Sequence, residues 1–93
     1  VRTAALELAK DGITVNAICP GWVDTDLLDG ALQNIAAKTK GTKAAARQRI
    51  EAMIPMGKIL TPDEIAGLLA YIVSPAARHL TGQALVLDGG ETL

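Results

Sequence analysis

The run Ile13 to Thr25, ITVNAICPGWVDT, constrains this chain more than any other stretch. Ile13 to Cys19 is apolar and rich in β-branched side chains, with Asn16 as its one strongly polar member. That pattern predicts a strand buried on both faces, as in a parallel sheet. Pro20 removes a backbone donor and stops the strand. Gly21 carries no Cβ, so the backbone there can approach a ligand closely. Trp22, the only tryptophan, offers a flat face to wall a pocket. Thr25 has the chemistry of an N-cap for a following helix. In open parallel α/β sheets, ligands bind in the crevice beyond the carboxyl ends of the strands. A strand that stops at Pro-Gly and runs into a capped helix is built to present backbone to something flat.

The rest of the chain is arranged around that strand. Val1 to Asp11 reads as a helix, with Val1, Ala4, Ala5 and Leu8 on one face and Gly12 as its C′ residue. Asp24 to Lys38 reads as a helix through Leu27, Leu28, Leu32 and Ile35, although Gly30 weakens it by roughly 1 kcal/mol against Ala. A charged turn around Gly41 leads to a further helical segment, Ala44 to Ile54, broken at Pro55-Met56-Gly57. Thr61-Pro62-Asp63-Glu64 is the clearest helix start, with Thr61 as N-cap, Pro62 at N1 and Glu64 completing a capping box. That helix runs to about Val73, with Ile65, Leu68, Leu69 and Ile72 on its core face, and Ser74-Pro75 ends it. Gln83 to Leu87 is a second apolar strand, closed by Asp88-Gly89-Gly90. The order is helix, strand, helical insertion, helix, strand, so the fold class is α/β with parallel strands joined by a crossover. Two strands do not make a stable sheet alone, and Val1 follows no initiator Met or capping residue. The chain therefore reads as the C-terminal part of something longer, with residues 1–93 in a single domain.

Composition narrows the function classes. With one Trp, one Tyr and no Phe, the core falls to Ala, Leu, Ile and Val. A net charge of −1 excludes an electrostatic case for nucleic acid. No apolar run approaches a membrane span, and the first residues carry no signal-peptide pattern. Cys19 is the only cysteine, which rules out an internal disulfide and a multi-cysteine zinc site and fits a reducing, cytoplasmic setting.

Several chemistries fail on inspection. Ser74 is wedged before a proline and reads as a helix stop; His79 reads as a surface residue beside it. No second histidine is present to share a metal. The glycine-rich phosphate loops are missing, and Gly57-Lys58 is followed by Ile59. Asp24, Asp26 and Asp29 surround a helix N-terminus, where acidic side chains are favoured by the dipole. Lys38, Lys40, Lys43, Arg47 and Arg49 form a basic patch, either a solvated connection or a contact for an anionic substrate handle.

Taken together, LELAKDGITVNAICPGWVDTDL and GKILTPDEIAGLLAYIVSPAARHLTGQALVLDGG resemble the C-terminal part of the short-chain dehydrogenase/reductases. Only the stretch from about Leu27 to Met53, within a substrate lid at residues 27–56, is nonspecific. The resemblance implies the last part of a Rossmann-like parallel sheet. It also implies an NAD(P)-dependent oxidoreductase interconverting an alcohol and a carbonyl, with NAD or NADP as cofactor. By the same resemblance, Pro20 and Gly21 lie against the nicotinamide ring and the main chain of Val23 pairs with the carboxamide. The Thr25 hydroxyl bonds the carboxamide or pyrophosphate while capping the lid helix, and Asn16 is structural. Trp22, Leu27, Leu28 and Met56 are assigned to the substrate lid; with Ile54 they imply a substrate with an apolar part, a 3-oxoacyl or 3-hydroxyacid type.

The family's catalytic Ser, Tyr-x-x-x-Lys pair and pyrophosphate loop have no counterpart in residues 1–93, since Tyr71 has Pro75 four residues on. No catalytic residue and no metal ligand is assigned to this chain. A second reading follows: a truncated, non-catalytic fragment or an oligomerisation piece. The expected partners are a small alcohol or ketone substrate and either the remainder of the same enzyme or further copies in a dimer or tetramer. Nucleic acid and membrane are not expected. The strand Gln83–Leu87, an apolar edge without charge or proline, is expected at a subunit interface together with the helix Pro62–Val73.

Overall fold

A computed structural model describes residues 1–93. In chain order the elements are α1 (Arg2–Leu8), β1 (Ala17–Pro20), α2 (Asp26–Thr39), α3 (Lys43–Ala52), α4 (Pro62–Ile72) and β2 (Ala84–Leu87), with short 3-10 turns at Ala9–Asp11 and Pro75–Ala77. The α/β class and the element order are those expected. The chain divides into two compact units, Val1–Cys19 with Asp63–Leu87, and Pro20–Pro62 with Asp88–Leu93.

The two strands, β1 and β2, pair in parallel, and all of both but Pro20 belongs to the first unit. Helix α1 and its 3-10 turn end at Gly12, whose φ of 73° is left-handed. The Gly12 N–H donates to the Ala9 carbonyl at 3.0 Å and the Ile13 N–H to the Leu8 carbonyl at 3.3 Å, the paired bonds of a Schellman cap. Ile13 is thereby committed to the helix end, which corrects the expected strand Ile13–Cys19. Val15 and Asn16 also lie outside β1, because side chains stand in for the backbone ladder there. The Val15 N–H donates to the Thr81 hydroxyl at 3.0 Å. Asn16 donates through Nδ2 to the Leu80 carbonyl at 2.9 Å and accepts from the Gln83 N–H at 3.1 Å through Oδ1. Asn16 is thus the structural clamp that aligns the strands. The regular ladder takes over with the Ala17 N–H on the Gln83 carbonyl at 2.9 Å, and the second strand starts at Ala84, one residue later than expected.

Burial departs further from expectation. Cys19 and Pro20 are exposed rather than sandwiched, and α4 buries none of its residues. Its intended core face, Ile65, Leu68 and Ile72, is only half-buried and Leu69 is exposed. Ser74 ends the helix as expected: its hydroxyl donates to the Tyr71 carbonyl at 2.6 Å.

The second unit carries a core of its own. Leu28, Leu32, Ala46, Ile50, Ile54 and Ile59 form one buried cluster, with Trp22 and Ile35 packed against it. Its two helices have polar caps: Thr25 opens α2, and Thr42, which the sequence reading passed over, opens α3 with its hydroxyl accepting from the Ala45 N–H at 3.1 Å. Deleting such a cap typically costs about 0.5–2 kcal/mol.

Candidate nicotinamide seat and lid

Pro20 to Thr25, Met56 and the segment Asp88–Leu93 all belong to the second unit. Val23 and Leu60 form a parallel bridge. The Leu60 N–H donates to the Trp22 carbonyl at 3.0 Å, and the Asp24 N–H donates to the Leu60 carbonyl at 2.8 Å. Leu60 therefore takes the backbone groups flanking Val23, which turns Val23's own N–H and C=O to the opposite edge. That edge carries an adjacent donor and acceptor, the pattern a primary carboxamide matches. Pro20 is exposed beside it and Gly21 and Val23 are half-buried.

Thr25 is exposed and has extended backbone, as an N-cap requires. Its hydroxyl donates to the Val23 carbonyl at 3.4 Å and accepts from the Leu28 N–H at 3.5 Å. Both bonds are long, so the Thr25 oxygen retains capacity for a further partner.

Gly21 has a structural reason beyond approach to a ligand. A Cβ built there would stand 2.8 Å from the Cβ of Asp88 and 3.1 Å from its Cα. Asp88 is the one buried charged residue. Its carboxylate accepts from the Gly90 N–H at 2.9 Å, the Thr92 N–H at 3.1 Å and the Thr92 hydroxyl at 2.7 Å. The Thr92 hydroxyl, then the nearby amides, hold this carboxyl below the usual carboxylate range against the opposing effect of burial. In the sequence Asp88 reads only as a strand stop; the D-G-G-x-T spacing, an Asp with a hydroxyl four residues on, is the signal that marks this turn.

The lid assignments separate. Leu27 is 86% exposed and Met56 78% exposed, so both offer apolar surface. Leu28 is 4% exposed and belongs to the buried cluster, as does Ile54. Leu28 and Ile54 are therefore corrected from the expected substrate-lid residues: their side chains are buried in the apolar cluster, Leu28 from α2 and Ile54 from the segment after α3. Trp22 is half-buried against the same cluster.

The basic patch is partly consumed internally. Arg47 grips Asp24 through two nitrogens, each at 3.3 Å, and Glu51 at 2.9 Å. Asp24 first, then Glu51, raise its pKa above the ordinary value. Lys43 pairs with Asp29. Lys38, Lys40 and Arg49 remain exposed. No group of His, Cys, Asp and Glu is arranged to hold a metal, and no helix is long and apolar enough to cross a membrane.

Comparison with known proteins places this geometry in a family. Residues 1–92 match the family described as enoyl-(acyl carrier protein) reductase. A putative ketoacyl reductase of the monensin polyketide synthase, from Streptomyces virginiae, is 45% identical over 84 residues, covering 90% of this chain and 32% of that protein. A short-chain dehydrogenase family protein from Francisella tularensis superposes with a TM-score of 0.94 at 37% identity, over 98% of this chain and 38% of the other. An actinorhodin polyketide ketoreductase variant solved with NADPH gives 0.88 at 39% identity, over 97% and 34%. The chain spans about a third of the length of the curated relatives it matches. Since the match runs over residues 1–92, from α1 through β2, this chain belongs to the short-chain dehydrogenase/reductase family and forms part of its Rossmann-like fold.

Proposed function

We propose that residues 1–93 are the nicotinamide-seating and substrate-covering part of an NAD(P)-dependent oxidoreductase that interconverts an alcohol and a carbonyl. The observation that carries this reading is the ladder at Val23, which leaves one N–H and one C=O beside the exposed ring of Pro20. The bound cofactor would supply the hydride. The chain's own residues bind and orient: Pro20 and Gly21 form a floor for the nicotinamide, Val23 pairs with its carboxamide, and the Thr25 hydroxyl bonds the carboxamide or pyrophosphate. Holding the ring in one orientation is where such a seat contributes to rate. Proton transfer is assigned to residues outside this segment.

Leu27 and Met56 provide apolar surface beside this seat, and Trp22 stiffens it. A 3-oxoacyl or 3-hydroxyacid type substrate fits that surface, and ketoacyl reductases among the relatives support the same class. We also propose a cytoplasmic homo-oligomer, a dimer or tetramer, with β2 and α4 at the subunit contact. Val86 is 58% exposed and Val73 74% exposed, the apolar surface such a contact would cover.

The test is cofactor titration of the full-length enzyme carrying this segment, with NADH and NADPH separately. Thr25→Ala is expected to weaken binding roughly two- to twelvefold, the loss of one hydrogen bond of about 0.5–1.5 kcal/mol, while Thr25→Ser keeps the wild-type dissociation constant. Equal constants for wild type and Thr25→Ala would reduce Thr25 to a helix cap. A wild-type enzyme that binds neither nucleotide sinks the whole reading.

A further inference from the structure

We infer that Asp88 is a positioning residue that sets both the nicotinamide floor and the base of the lid. The inference rests on the reading of Pro20–Thr25 as the nicotinamide seat. It starts from where Asp88 stands. Its backbone and Cβ lie so close under Gly21 that no side chain fits between them. A shift of Asp88 by a few tenths of an ångström therefore passes directly to Gly21, because packed atoms have no slack to absorb it.

The residues after Asp88 make the second contact. Gly89 has a φ of 65° and Gly90 of 92°, conformations that ordinary side chains rarely adopt. A Cβ on Gly89 would stand 2.7 Å from Ile54 Cγ2 and 3.5 Å from Met56 Cβ, and one on Gly90 would stand 3.3 Å from the Pro55 ring. The Met56 N–H donates to the Gly89 carbonyl at 3.0 Å. The turn thus lies flat against Ile54–Met56, where the lid returns.

What holds the turn in that shape is the Asp88 carboxylate. One oxygen takes the Gly90 N–H and the other takes both the N–H and the hydroxyl of Thr92. A charged acceptor with three donors in fixed places is strong and directional. Asp88 touches neither the cofactor nor the substrate in this reading; it acts through Gly21 on one side and through Gly89 and Met56 on the other.

The experiment uses the full-length enzyme and compares Asp88→Asn, Thr92→Val, Thr92→Ser and Gly21→Ala. NADPH and NADH dissociation constants are measured well below the melting temperature, together with KM and kcat for the carbonyl substrate. Asparagine puts an amide N–H₂ where Thr92 needs an acceptor, so Asp88→Asn is expected to weaken the preferred cofactor about tenfold and to raise the substrate KM, with a smaller fall in kcat. Thr92→Val should weaken cofactor binding about threefold, and Thr92→Ser, which keeps the hydroxyl, should restore it. A merely structural role would lower the melting temperature and leave the dissociation constants at wild-type values. If Gly21→Ala weakens the cofactor but Asp88→Asn does not, the inference falls and the seat stands. If Gly21→Ala, Asp88→Asn and Thr25→Ala all bind cofactor as wild type does, the seat reading itself fails. Should Asp88→Asn not fold, the Thr92 pair decides: a difference between Val and Ser supports the inference, and wild-type constants in both overturn it.

Discussion

In the unit Pro20–Pro62 with Asp88–Leu93, six apolar side chains from Leu28 to Ile59 bury one another. In the unit Val1–Cys19 with Asp63–Leu87, the buried apolar residues are two alanines, Ala5 and Ala77. The second of these has more β-branched and leucine-rich sequence, yet it leaves Leu6, Leu69, Tyr71, Val73 and Val86 exposed. Apolar character does not by itself make a core; a second apolar surface has to face it. Helices α2 and α3 are amphipathic and close on each other, whereas α4 and the two strands present surfaces suited to further layers of a sheet. The unit Pro20–Pro62 with Asp88–Leu93 thereby carries its own core, while the other unit leaves most of its large apolar side chains half-buried or exposed.

The largest expected effect tests that contrast directly. Ile50→Ala in the full-length protein should lower stability by about 2–5 kcal/mol, the usual cost of emptying a buried aliphatic site, and by the same amount at every protein concentration. Leu69→Ala should cost less, with a melting midpoint that moves with protein concentration if a second copy covers α4. Chemical denaturation at two concentrations reads both. Equal, concentration-independent losses would erase the difference between the units. Next in size is Val86→Lys, which places a charge on the exposed face of β2. In sedimentation at micromolar concentration it should shift the protein to a smaller species than wild type, and an unchanged mass moves the interface away from this strand.

The smallest effect sharpens the side of the comparison that carries its own core. The Asp88 carboxyl is held below its ordinary value of 3.8, first by the Thr92 hydroxyl. A depressed carboxylate contributes stability that is fully present above the unfolded-state pKa and is lost as pH falls through the folded one. The advantage of wild type over Asp88→Asn should therefore be constant from pH 7 down to about 5, shrink below 3.8, and vanish in stronger acid. Urea titrations at a series of pH values measure it; an advantage that shrinks between pH 7 and 5 would assign it to another group.

Local chemistry explains what is legible in the sequence. Gly12, Thr25, Pro62 and Ser74 mark element ends because each solves a problem confined to its neighbours in the chain: a left-handed cap, an orphan N–H, a missing donor or a helix stop. The α/β order follows from hydrophobic period in the same way. Asn16 was readable as structural, although its partners Leu80 and Gln83 lie more than sixty residues away. Other features depend on pairs that sequence does not bring together. Leu27 and Leu28 are neighbours of the same residue type, yet one is at the surface and the other in the core, because a helix turns about 100° per residue and only α3 decides which side is inside. Gly21 reads in the sequence as a residue spared for a ligand, and Asp88, distant in the chain, packs against it. Arg47 belonged to a basic patch until Asp24, twenty-three residues away, claimed it. The sequence by itself determined the elements, their order and the stretch that presents backbone beyond β1, since these rest on local sterics and periodicity. Only the tertiary structure decided which apolar residues form a core, which charges are spent on one another, and that a buried carboxylate residue packs against Gly21, since each of these depends on which distant side chain arrives at contact distance.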